Sequence, residues 1–209
     1  MPARRSPKFT QNERRLRKNP PLGTMIEGFK DLLTRSRVDR VLAEGVLPDG
    51  KPYRLTQQNG NHARGILDIL RLKVENRNVA AVAGDMGDSL FIEHNTYTLP
   101  EARGKGYMRL LYTLLLNRGI GVRSDQWNHS LPMRRVWMAL ARTGFVFVRE
   151  MKEHVGGYHT PTGNFLRVRG DDVNDPLLDA TLFAAPGGTV EEAEEAMLDM
   201  VSEERFLSR

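Results

Sequence analysis

The sequence predicts an α/β fold in which helices flank a mixed, mostly antiparallel central sheet, with a separable acidic helix at the C-terminal end. Three observations predict it. Short β-branched and apolar segments, separated by turn residues, fill 41–99 and read as consecutive strands. After Pro100 the apolar spacing changes from two residues to three and four, the mark of a helix. From there helix and strand alternate to about residue 170 without an internal repeat.

The elements follow in order. Residues 1–22 are polar and basic, end at Pro20 and Pro21, and read as a flexible arm with a short helix near 11–18. Residues 23–40 read as a helix with Met25, Ile26, Phe29, Leu32 and Leu33 on its apolar stripe. VLAEGVLPDGKPYRLTQQ is a hairpin whose turn chemistry comes from Pro48, Asp49 and Gly50. ARGILDILRLKV, NVAAVAGD and DSLFIEHNTYTL are further strands, punctuated by Asn76, Asn78, Gly84 and Gly87.

A helix then carries Tyr107, Leu110, Leu111, Leu114 and Leu115 until Gly119 stops it, and GIGVRSD is a short strand. Ser130 is the N-cap and Pro132 the first turn of a second helix, with Val136, Trp137, Leu140 and Ala141 on its apolar face. FVFVREM and NFLRVRG are strands around EHVGGYHTPTG, a candidate substrate lid. A linker over 171–188 leads to the acidic helix of 189–209, opened by a Thr189/Glu192 capping box and striped by Val190, Ala193, Met197 and Met200. The expected organisation is therefore an arm at 1–22, a domain at 23–170, a linker at 171–188 and a helix at 189–209.

Composition bounds the function. The 209-residue chain is long enough for one sizeable core. It has no apolar run of membrane-spanning length, and MPARRSPKF has no apolar segment behind it to make a secretory signal. Without cysteine it has no disulfide, thiol nucleophile or thiolate zinc site, which suits the cytoplasm. The five histidines form no helical H-x-x-x-H pair, so no metal is expected.

A net charge of +5 and a pI near 9.7 favour polyanionic ligands. The basic residues crowd into 1–20 and the acids into 191–204, so the termini are opposite in sign. Phe9 is the single aromatic in the arm, which gives base stacking little support and ranks nucleic acid last among the ligands.

The chemistry concentrates in PEARGKGYM, residues 100–108, where a strand runs through a proline and two glycines into an amphipathic helix. Glycines let a ligand approach the backbone, and the free N–H groups of a helix start attract phosphate, with Arg103 and Lys105 adding charge. A basic turn that happens to hold two glycines reads the same way. The P-loop motif fails because Gly106, not Ser or Thr, follows Lys105. The dinucleotide motif fails because Arg109 stands where its third glycine belongs.

LPEARGKGYMRLL resembles the signature of the GNAT superfamily of N-acetyltransferases, [QR]-x-x-G-x-[GA] at the start of a helix, and ALARTGF resembles the closing helix turn and Gly-Phe of that family. GVRSDQWNHS with VWMALARTGF is similar to a phage-encoded subgroup, which would place the chain in a bacterial host cytoplasm. The resemblance spans about residues 24–170 and implies acetyl-CoA as cosubstrate. It implies that the backbone of Tyr97, Thr98 and Leu99 pairs with the pantetheine arm. The amides of Arg103, Gly104, Lys105, Gly106, Tyr107 and Met108 would hold the pyrophosphate.

The sequence departs from the family pattern at Glu101, in place of Gln or Arg, at Met133, where Asn is common, and at Leu140, in place of the Tyr that protonates the thiolate. Acetyl transfer needs a deprotonated amine, a polarised carbonyl and a stabilised thiolate. Glu93, beside His94, is the candidate base; Asp125 can orient an amine or cap a loop; Ser124 or a nearby Tyr can protonate the thiolate. The expected activity is direct acetylation of a primary amine on a small molecule or protein. The alternative is a scaffold of weak or lost activity that uses its charged termini to bind and modulate a partner, such as a host enzyme.

Overall fold

The computed structural model describes residues 39–60, 67–124, 131–153, 159–168 and 181–207. The basic arm, nearly all of the helix expected at 23–40, Asp125 and Trp127 lie outside them. The first five strands are β1 (Arg40–Val46), β2 (Pro52–Gln58), β3 (Asp68–Val74), β4 (Arg77–Met86) and β5 (Leu90–Thr98). Each pairs antiparallel with the next. The β1–β2 turn closes with Leu47 N–H on Lys51 O at 2.8 Å. At the β3–β4 turn Glu75 and Asn76 both take positive φ, the geometry that matches the twist of a tight hairpin.

Helix α1 (Tyr107–Leu116) leads to β6 (Gly121–Arg123), which lies parallel to β5, and α2 (Leu131–Thr143) leads to β7 (Phe145–Glu153) and β8 (His159–Arg167). β9 (Leu182–Ala185) and α3 (Val190–Leu207) follow. The sheet order is β1-β2-β3-β4-β5-β6-β9-β7-β8. The architecture is thus the α/β arrangement expected from the sequence: a mixed, mostly antiparallel sheet with flanking helices and a C-terminal helix. No helix among the described residues is long and apolar enough to cross a membrane.

Period-two alternation divides the sheet between two apolar clusters. Leu70, Leu72, Val82 and Phe91 pack with Leu111 and Leu115 of α1 and Trp137 and Leu140 of α2. Leu90, Ile92, Phe147 and Phe183 pack with Ala193, Met197 and Met200 of α3. Each such side chain contributes about 1.5–3 kcal/mol when fully buried. Arg71, only 1% exposed, alternates with Leu70 and Leu72. Its guanidinium donates to Asp39 Oδ1 at 3.1 Å and Gln58 Oε1 at 2.8 Å, which offsets the desolvation of the charge.

Four expectations are revised. The linker contains β9: LFAA is buried throughout and fills the slot between β6 and β7, pairing antiparallel with both. The acidic helix is not separable. It lies in one compact unit with the rest of Arg37–Arg209 and closes the second apolar cluster. Two of its acids tie it down: Glu204 pairs with Arg123 Nε at 2.9 Å and with Arg149, and Glu203 accepts from Ser89 N–H at 2.8 Å and Ser89 Oγ–H at 2.6 Å. Arg40 belongs to β1 rather than to a preceding helix. The candidate lid is shorter than expected, because β8 starts at His159 and pairs His159 with Glu153 of β7. Pro161 is tolerated there because β8 is an edge strand.

Candidate active site

The site arises where the sheet opens. Among the described residues β6 runs beside β5 at Leu90, Phe91 and Ile92, and from Asn95 to Thr98 β5 is laddered to β4. Beyond Thr98 the chain makes one 3-10 turn, Pro100–Ala102, and Arg103 Nε donates back to Thr98 O at 3.3 Å.

Gly104 and Gly106 both have φ near +76°, a conformation that costs any L side chain, and a Cβ on either would meet nothing within 4 Å. Gly106 is the N-cap of α1 and makes no side-chain cap. The regular ladder resumes at Leu110, whose N–H bonds Gly106 O at 2.9 Å, so the first-turn amides of α1 remain for an anion.

A cleft of about 960 Å³ joins this turn to the free end of β5 and to α2. Tyr97, Thr98 and the whole of 103–108 line it, whereas Leu99 borders a separate hollow of about 220 Å³ with Lys51, Glu75 and Arg77. The opposite wall is Pro132, Met133, Val136 and Ala139, spaced along one flank of α2. Four cations, Arg103, Lys105, Arg109 and Arg135, contribute to the lining, and no carboxylate does among the described residues. Arg109 and Arg135 were not singled out from the sequence. The signal was present in their helical spacing from the glycine turn and from Pro132, but a surface arginine on either helix reads alike until the two helices are brought together.

Of the candidate catalytic groups, Glu93 and Ser124 do not line the cleft. Glu93 is 5% exposed and accepts a hydrogen bond from the hydroxyl of Tyr112, which is fully buried in α1. Burial, reinforced by the Glu93 charge and the hydrogen bond to it, pushes the Tyr112 phenol well above its ordinary value, so the phenol keeps its proton and serves as donor. Ser124 is fully buried; its N–H bonds Leu182 O at 2.8 Å and its Oγ accepts from Leu182 N–H at 2.9 Å. Those bonds make Ser124 a pin between β6 and β9 rather than an exposed proton donor.

The departures from the family pattern are also resolved in space. Glu101 is exposed and ion-paired with Arg77, Met133 faces the cleft, and Leu140 is buried in the first cluster. Trp137 is likewise a core residue, its ring 5.9 Å from that of Tyr112. On the strand beside Glu93, His94 Nε2 lies 2.7 Å from Asp85 Oδ2.

No family model and no curated protein sequence matches the chain. Among solved structures, a Bacteroides thetaiotaomicron protein assigned to the GNAT family as an acetyltransferase aligns with a TM-score of 0.36 and 14% identity, over 83% of this chain and 89% of that one. A likeness that loose adds nothing to the topology and cleft described above.

Proposed function

We propose that this chain is an acetyl-CoA-dependent N-acetyltransferase that passes the acetyl group directly to a primary amine of a small molecule or protein. The carrying observation is the cleft that joins a cationic helix start to the end of β5 beyond its last β6 pair. A pyrophosphate suits the amides of 104–108 and the charges of Arg103, Lys105, Arg109 and Arg135. The amide-bearing pantetheine arm suits the end of β5 at Thr96–Thr98, which would take it as a sheet takes an added strand. Pro132, Met133, Val136 and Ala139 supply the apolar wall that excludes water from it. Acetyl-CoA supplies the activated thioester.

A second reading, a scaffold that binds and modulates a partner enzyme, is favoured by one observation: neither Glu93 nor Ser124 lines the cleft. Calorimetry with CoA and thiol release from acetyl-CoA over a panel of amines separate the two. Binding with turnover supports the transferase, and binding without turnover of any amine supports the scaffold. No heat with millimolar CoA sinks both the cofactor assignment and the transferase.

A further inference from the structure

Resting on the acetyl-transfer reading, we propose that Arg109 and Arg135 form a second anion subsite of the cleft, one that takes a phosphate monoester while the glycine turn takes the pyrophosphate. The cations around the cleft are engaged unequally. Arg103 Nε donates to Thr98 O at 3.3 Å, and Arg118, just past α1, donates to Leu42 O at 2.7 Å. In α2, Arg134 and Arg142 have partners of their own. Arg109 and Arg135 are exposed, line the cleft, and have no hydrogen bond or ion pair among the described residues.

Two helices bring the pair to one cleft. Arg135 follows Pro132 by one helical turn and precedes Ala139 by another, so it shares their flank of α2. Arg109 stands in the first turn of α1, and just beyond it the rings of Tyr112 and Trp137, 5.9 Å apart, join the two helices. A cation in the first turn opposes the helix dipole. Neither α1 nor α2 has an acid in its first turn to offset this, whereas α3 has Glu191 and Glu192. A bound anion would supply the missing negative charge.

The charge selects the ligand. A phosphate monoester carries about −1.5 to −2 at pH 7, and guanidinium groups donate to its oxygens through paired, charge-assisted bonds. The smaller hollow beside the glycine turn is the competing place for it, and the charges there are already balanced. Lys51 is held by Asp49 at 3.2 Å and Arg77 by Glu101, and the carboxylates of Glu75 and Glu101 line the hollow. Among the described residues no carboxylate lines the cleft at Arg109 and Arg135. Two participants in the reaction can bring the monoester: CoA, whose ribose bears a 3′-phosphate one sugar away from the pyrophosphate, or an acceptor amine that carries a phosphate of its own.

The test is calorimetry on the full chain with CoA and with dephospho-CoA, which lacks the 3′-phosphate alone, followed by titration of inorganic phosphate into the chain loaded with each. If CoA brings the monoester, dephospho-CoA should bind about 10-fold more weakly than CoA. R109Q and R135Q should then each weaken CoA by about 3-fold, leave dephospho-CoA unchanged, and abolish a phosphate response seen only in the chain loaded with dephospho-CoA. If the acceptor brings it, both forms of CoA should bind alike, and phosphate should bind either loaded chain until R109Q or R135Q removes it. Both results support the subsite and tell its sources apart. Without ligand, neither variant should lower the urea midpoint, because no internal partner is lost; a lower midpoint in both marks the arginines as structural and overturns the inference. Variants that weaken CoA and dephospho-CoA equally also overturn it alone, as do variants that remove neither the preference for CoA nor any binding of inorganic phosphate. A chain that binds neither form of CoA overturns the acetyl-transfer reading and this inference with it.

Discussion

β6 meets its two neighbours in different ways. Toward β5 three residues pair in parallel, and among the described residues the pairing ends at Ile92 with Arg123; toward β9, and from β9 to β7, the sheet continues. The closed side is locked from above by α3, with Glu204 buried between Arg123 and Arg149 and Glu203 holding the β4–β5 turn. The open side holds the end of β5 and the start of α1, whose first-turn amides the helix ladder leaves over. Buried backbone polar groups are nearly always paired, so such an opening persists only where a ligand or solvent supplies the partners. Rigidity and the proposed binding edge thus lie on the two sides of a single three-residue strand.

The largest effect is expected on the closed side. E204A should destabilise the chain by about 3–5 kcal/mol in urea unfolding, because it removes the buried carboxylate that Arg123 and the half-buried Arg149 share. CoA binding by the folded fraction should persist, and its loss would show that the two sides are coupled. Y112F should cost about 1–3 kcal/mol by leaving the Glu93 carboxylate buried without its donor.

The same tyrosine gives a pH prediction. Its folded pKa is raised, so above the ordinary tyrosine value of about 10 the unfolded chain loses a proton that the folded chain keeps. Stability contributed by Tyr112 is full below about pH 10 and falls by about 1.4 kcal/mol per pH unit until the raised value is reached. Y112F should flatten that alkaline limb in denaturation midpoints measured from pH 8 to 11.

Smaller effects belong to the open side. G106A should cost about 1–2 kcal/mol from its positive φ, and calorimetry should show a further loss in CoA affinity as the cradle distorts. Truncating Lys105 or Arg109 singly should weaken CoA binding by about 0.5–1 kcal/mol, an effect that shrinks as salt is raised. A loss that does not depend on salt would mean that these side chains act by packing.

Much of this was legible in the chain. The period change after Pro100, the leucines of α1 and the Thr189/Glu192 box are local signals. The box forms as written, with Glu192 N–H on Thr189 Oγ1 and Thr189 N–H on Glu192 Oε2, each at 3.2 Å. β9 was not legible, because four apolar residues between loop signals carry no period and become a strand only when β6 and β7 offer their edges. Arg71 in a strand gave no sign of burial, because its partners Asp39 and Gln58 are distant in sequence.

The sequence alone determined the glycine turn: φ near +76° at Gly104 and Gly106 is a property of the residues themselves, and so is the free start of the helix behind them. The tertiary structure alone decided which of two adjacent residues is accessible. Alternation puts Glu93 on the face of Phe91 and His94 on the face of Ile92, but only the packing of α1 on the first face buries Glu93 under Tyr112 and leaves His94 partly exposed against Asp85. The reason is that the helix that buries Glu93 comes from Tyr107–Leu116, and no local pattern in the strand tells which face it will cover.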